Sequence, residues 1–197
     1  MLYPIMTPSR FVSDLSGSWD FKKFDDVLPA EEWAKAPLQD AMNMPVPSSY
    51  NDLTEDAKLR DYAGWVMYER DLAVPKVLKN ERVMLRFDAV THEANIYLNG
   101  ELIGSHKGGF LPFEIDVTDK LTGGDDRLSV AVSNIIDYTT LPVGGKADMM
   151  GGLMGTGPAE IDDNAPRRNN PNFDFFNYSG ITRPVRLYTT PKEAYIE

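Results

Sequence analysis

The chain has 197 residues, 42% hydrophobic and 25% charged, with 15 glycines, 14 prolines and no cysteine. Its 30 acidic and 20 basic side chains give a formal charge of −10, which repels phosphate backbones and anionic lipid and so speaks against nucleic-acid and membrane-surface partners. Without cysteine there is no disulfide framework, thiolate metal site or cysteine nucleophile, and two histidines leave little for a histidine-rich metal centre.

A length of this order predicts one domain with a substantial core. No basic side chain precedes Arg10, and no apolar run of signal-peptide length follows. No stretch approaches the roughly 18 apolar residues of a membrane helix. A cytoplasmic chain is therefore expected. The sequon Asn177-Tyr178-Ser179 would matter only in a secreted eukaryotic protein.

In chain order, residues 19–24 alternate at first and then slip. Residues 30–36, with Glu31, Glu32 and Trp33, predict a helix of two turns at most. Residues 65–74 form a long β-favouring run that Pro75 stops. In residues 82–90 Val83, Leu85 and Phe87 share one face. Asn99-Gly100 then supplies the two positive φ angles of a type I′ hairpin turn. That turn pairs Leu98 with Glu101 and Ile96 with Ile103. Extended outward, the register sets His106 opposite Glu93 and His92 opposite Lys107, on opposite faces, which disfavours a two-histidine metal site. Further strands are predicted over 113–117, 128–132 and 185–188. The pairs Gly108-Gly109 and Gly123-Gly124 lack the strand-to-helix setting of a phosphate cradle. Short strands between turn signals, without strand–helix alternation, predict an all-β antiparallel sandwich or barrel.

Residues 143–171 break the pattern. Six glycines between Gly144 and Gly157 oppose any stable helix or strand, while Met149, Met150 and Met154 favour adaptable apolar contact. Two readings stay open, a surface insertion or a loop that orders against another domain, a subunit or a ligand. After it, Asn172-Phe173-Asp174-Phe175-Phe176-Asn177-Tyr178 has the composition of a sugar site. Aromatic faces suit the C–H side of a pyranose, and Asp or Asn suits its hydroxyls. The alternative is core packing of Phe173, Phe175, Phe176 and Tyr178, with Asp174 capping a turn. Glu160, Asp162 and Asp163 sit in the loop, poorly placed for a rigid pair of glycosidase carboxylates. No complete active-site motif is present.

Five motifs in order carry a family resemblance: residues 64–70 (Gly-Trp-Val-Met-Tyr-Glu-Arg), 85–92, 97–100, 106–114 (His-Lys-Gly-Gly-Phe-Leu-Pro-Phe-Glu) and 174–183. Together with Met1-Leu2-Tyr3-Pro4 and residues 45–52, they resemble the N-terminal sugar-binding domain of family 2 glycoside hydrolases, in the branch acting on β-glucuronides. The related β-galactosidases typically continue the last motif with Met-Trp-Arg instead.

The resemblance implies a jelly-roll β-sandwich, galactose-binding-domain-like, over 1–190, with 191–197 beginning a linker. It implies a retaining enzyme whose remaining parts are an immunoglobulin-like domain and a (β/α)₈ barrel bearing both catalytic glutamates. No catalytic residue, metal or cofactor is then expected here, and the chain alone is expected to be inactive. Asp174 is expected to reach the active site and bond a sugar hydroxyl. Phe175, Phe176, Asn177 and Tyr178 are expected to support its loop. A carbohydrate (β-glucuronide) substrate and a homo-oligomeric parent, commonly a tetramer, follow from the same resemblance. Alternatives are a domain of a β-galactosidase-like enzyme, a stand-alone carbohydrate-binding module and a purely structural domain.

Overall fold

The structure, a computed structural model, describes residues 3–24, 30–75, 78, 80–136, 139–141, 176–193 and 195. In chain order the elements are β1 (Val12–Asp14), β2 (Gly17–Lys23), α1 (Ala30–Ala34), β3 (Met42–Val46), α2 (Tyr50–Leu53), α3 (Ala57–Arg60), β4 (Trp65–Ala73) and β5 (Arg82–Phe87). There follow β6 (Val90–Thr91), β7 (Glu93–Leu98), β8 (Glu101–Lys107), β9 (Phe113–Asp116), β10 (Asp125–Ser133), β11 (Gly180–Ile181) and β12 (Val185–Thr190).

The strands form a six-stranded sheet in the order β3-β2-β4-β10-β7-β8 and a four-stranded sheet in the order β1-β12-β5-β9. A two-stranded ladder, β11-β6, completes the set. Every pairing between these strands is antiparallel. This is the sandwich the alternation predicts, and it is consistent with a jelly roll.

Alternation decides which side chains meet between the sheets. Trp19, Phe21, Tyr68, Ile96, Leu98, Leu128 and Val130 join Val83, Leu85, Phe87, Val185 and Leu187 in one buried cluster. The outer face of the large sheet is covered as well. There Met67, Tyr97 and Ala131 pack with Trp33 and Ala34 of α1, and Phe24 stacks on Trp33 with ring centroids 4.0 Å apart.

The outer face of the small sheet carries charge instead. Arg86 and Arg186 are direct cross-strand partners, both buried. Asp88 and Glu114 lie between and beside them. Tyr3 of the N-terminal segment lies over Arg186, 4.0 Å from guanidinium to ring centre.

Two expectations need correction. The strand read over 82–90 ends at Phe87, because the Asp88 amide turns to the Pro184 carbonyl at 3.1 Å; β6 then starts a separate ladder with β11. The hairpin keeps Leu98 opposite Glu101, and Asn99 and Gly100 have φ of 53° and 86° as the turn demands. Past Tyr97, however, a bulge inserts Ile103, so Ile96 faces Gly104 and His106 faces Ala94 rather than Glu93. Packing favours the slip: a Cβ at Gly104 would come within 2.7 Å of Ile115, so a side chain at that position would collide with β9.

Candidate functional site

Asp174 and Phe175 lie outside the described residues, as does the 143–171 stretch. From Phe176 onward the geometry is explicit. Phe176 and Tyr178 are 47% and 52% exposed and meet edge to face, centroids 5.0 Å apart. Between them Asn177 is half-buried, and beyond them Ser179 and Gly180 are buried.

Residues 176–179 precede β11 and lie in no ladder, so their backbone groups need other partners. The 48–51 segment supplies them. The Ser179 amide is shared between Ser49 Oγ at 2.9 Å and Asn51 Oδ1 at 3.1 Å. Asn51 Nδ2 donates to the Asn177 carbonyl at 2.8 Å. The Tyr50 and Ser48 amides donate to the Ser179 and Ile181 carbonyls at 3.1 and 2.9 Å.

Ser49 stands at the N-cap of α2, where a serine hydroxyl ordinarily accepts from its own helix. Here it makes no capping bond; it donates to Asn51 Oδ1 and accepts from Ser179. The diverted hydroxyl ties two segments about 130 residues apart in sequence.

A second layer lies beneath. Asn134 Nδ2 donates to Ser179 Oγ at 3.2 Å and to the Tyr62 carbonyl at 2.7 Å, while its Oδ1 accepts from the Gly64 amide at 2.9 Å. Thr91 Oγ1 donates to the Gly180 carbonyl at 3.2 Å. Gly180 itself has φ +111°, and a Cβ there would lie 2.3 Å from the Tyr68 hydroxyl oxygen. Burial pushes the Tyr50 and Tyr68 hydroxyls above the ordinary tyrosine range, so both stay protonated.

Sequence reasoning gave a supporting role to Asn177 but assigned none to Ser49, Asn51, Asn134 or Ser179, although the 45–52 and 174–183 stretches carried the resemblance. Their signal was weak: Pro47-Ser48-Ser49-Tyr50 reads as a turn, and nothing local says what its polar side chains will meet.

The histidines have separate surroundings. His106 stacks on Phe113 at 4.2 Å, and its Nε2 lies 3.1 Å from the Gly108 carbonyl. His92 is only 2% exposed, beside Phe110, and makes no side-chain hydrogen bond of ordinary geometry among the described residues. Burial pulls its pKa down to about 4, opposed in part by the Leu141 backbone. The unfolded chain takes up this proton near pH 6.5 and the folded chain near 4, so this contribution to stability is complete above 6.5 and lost as pH falls towards 4. Urea unfolding is expected to show a loss of order 2–3 kcal/mol from this group between pH 7 and 4, and His92→Gln is expected to remove that part of the slope. An unchanged slope in the variant would sink the assignment.

Among the described residues the buried carboxylates are Glu69, Asp88 and Asp126, and structural bonds engage all three. Glu69 accepts from Ser129 and the Leu38 amide, Asp126 from Asn99 and Thr122, and Asp88 from Arg86 and Arg186. No cluster of three or more potential metal-ligating His, Asp or Glu side chains occurs among the described residues.

Residues 12–191 match the family model for the glycosyl hydrolases family 2 sugar binding domain. The chain belongs to that family. Similar curated proteins include β-glucuronidases. A β-glucuronidase of Streptococcus agalactiae is 40% identical over 197 residues, covering 98% of this chain and 30% of the relative. Human β-glucuronidase is 37% identical over 209 residues, covering 97% of this chain and 30% of the relative. The structure of Bifidobacterium dentium β-glucuronidase complexed with coumarin-3-O-glucuronide superposes with a TM-score of 0.86 at 50% identity, covering 100% of this chain and 32% of that one. The chain therefore spans about a third or less of the length of these family 2 relatives.

Proposed function

We propose that this family 2 domain serves a retaining β-glycosidase that hydrolyses β-D-glucuronides, within a cytoplasmic homo-oligomer. Asp174 reaches the active site and bonds a sugar hydroxyl; Phe175, Phe176, Asn177 and Tyr178 belong to the segment that carries it. The acid/base and nucleophile glutamates come from a barrel domain outside these residues, and an immunoglobulin-like domain lies between. The observation that carries the reading is 40% identity over 98% of the chain to one β-glucuronidase, and 50% to another complexed with a glucuronide. The hydrogen bonds on Asn177, Ser179 and Gly180 support it, since a sugar-contacting carboxylate needs a fixed support.

A desolvated carboxylate–hydroxyl bond contributes about 1.5–3 kcal/mol. Asp174→Ala in the complete enzyme is accordingly expected to lower kcat/KM on a nitrophenyl β-glucuronide by at least about tenfold. Wild-type kinetics in that variant would dismiss the role of Asp174. Faster turnover of the matching β-galactoside by the wild-type enzyme would overturn the substrate class.

A further inference from the structure

We propose that Asn51 is a positioning residue for sugar binding. Its side-chain amide takes the place of a neighbouring strand for residues 177–179, and so sets the path by which the chain leaves β11 towards the sugar-contacting position. The inference rests on the reading of Asp174 given above.

Three observations carry it. Asn51 is 7% exposed, and both ends of its amide are spent on one short segment: Oδ1 on the Ser179 amide and Nδ2 on the Asn177 carbonyl. The N-terminal capping position of α2 gives up its own helix bond to reinforce this contact, because Ser49 donates to Asn51 Oδ1 and accepts from Ser179. Finally, the segment held this way presents Phe176 and Tyr178 largely to solvent. Among the described residues the backbone of this segment is held by the polar clamp. An amide that donates to one backbone group and accepts from another two residues along fixes both the position and the direction of the segment.

The test uses the complete enzyme, a nitrophenyl β-glucuronide, and a double-mutant cycle between positions 51 and 174. Asn51→Ala is expected to lower kcat/KM about fivefold to tenfold, mostly through KM, because hydroxyl binding is lost in the ground state as well. In an Asp174→Ala background the same change is expected to cost less than about twofold, since nothing remains to be positioned. Asn51→Asp keeps the acceptor for Ser179 and loses the donor to Asn177, and is expected to fall between wild type and Asn51→Ala. Should Asn51→Ala not fold, Ser49→Ala carries the test: it removes one acceptor from Ser179 and is expected to act in the same direction, about twofold to threefold, with the same loss of effect over Asp174→Ala.

Wild-type kinetics in the position-51 or position-49 variant, alongside an impaired Asp174→Ala enzyme, would overturn this inference alone. An effect that persists in full over Asp174→Ala would also overturn it, by showing a general structural contribution. Wild-type kinetics in Asp174→Ala would overturn the site reading and this inference with it.

Discussion

Asp88→Ala is expected to lower the unfolding free energy of the sandwich by about 3–5 kcal/mol. The register places Arg186 of β12 directly opposite Arg86 of β5, an arrangement that like charges disfavour. Asp88 resolves it. Its Oδ1 accepts from Arg86 Nε at 2.6 Å, and its Oδ2 accepts from Arg186 Nη1. Glu114 adds a second carboxylate, accepting from Arg86 Nη1 at 2.7 Å and from the Tyr188 hydroxyl at 3.0 Å.

Two buried cations thus face two anions. Burial opposes the Arg86 charge, but the hydrogen bonds to Glu114 and Asp88 outweigh it and hold the group above its ordinary pKa. Removing Asp88 leaves an uncompensated charge, and that desolvation cost is the source of the large effect. The exposed Lys120–Glu101 pair supplies the contrast: Glu101→Ala is expected to cost less than about 1 kcal/mol. Urea denaturation of the three proteins measures both. A loss below about 1 kcal/mol for Asp88→Ala would show that the cluster is solvated and the argument mistaken.

Gly180→Ala is expected to cost about 2–5 kcal/mol, from two separable sources. A φ of +111° is a backbone conformation that L side chains rarely adopt, at about 1–3 kcal/mol. The added methyl would also lie 2.3 Å from the Tyr68 hydroxyl oxygen and 3.2 Å from Tyr50 Cδ1, and overpacking of that kind costs a similar amount. Relief is blocked from below, because Phe21 packs edge to face on Tyr68 at 4.9 Å and against Tyr50 at 5.4 Å.

For a domain of this size the melting temperature is expected to fall by roughly 5–15 °C. Adding Tyr68→Phe removes the nearest atom, so the double variant is expected to recover the steric part and leave the conformational part. An unshifted melting curve for Gly180→Ala would mean that β11 moves away freely. In that case the segment above it is not rigid.

The contrast between what was and was not legible runs along individual elements. Residues 65–74 read as a strand and emerge as β4 (Trp65–Ala73), because β-favouring composition and the stop at Pro75 are local signals. The Asn99-Gly100 turn is legible for the same reason. β3 was missed: Pro45 interrupts its pattern, and the structure accommodates the proline because β3 is the edge strand of its sheet. Arg86 and Arg186 each look like the polar residue of an alternating strand. Only the pairing of β5 with β12 shows that they meet and need Asp88.

The candidate site divides in the same way. The aromatic run from Phe173 to Tyr178 was visible as composition, and with the four other motifs it carried the resemblance to family 2 that the family match then bore out. That Ser49 would abandon its helix, and that Asn51 would grip Asn177 and Ser179, was not visible. Strand periodicity, turn chemistry and family membership are written within short windows of sequence, and the sequence alone determined them. The bulge at Ile103, the balance of charge around Asp88 and the clamp on Ser179 were decided by tertiary structure. Each depends on which groups strand pairing and tertiary packing bring within about 3 Å, and hydrogen bonds and buried charges respond to that distance with no regard for separation along the chain.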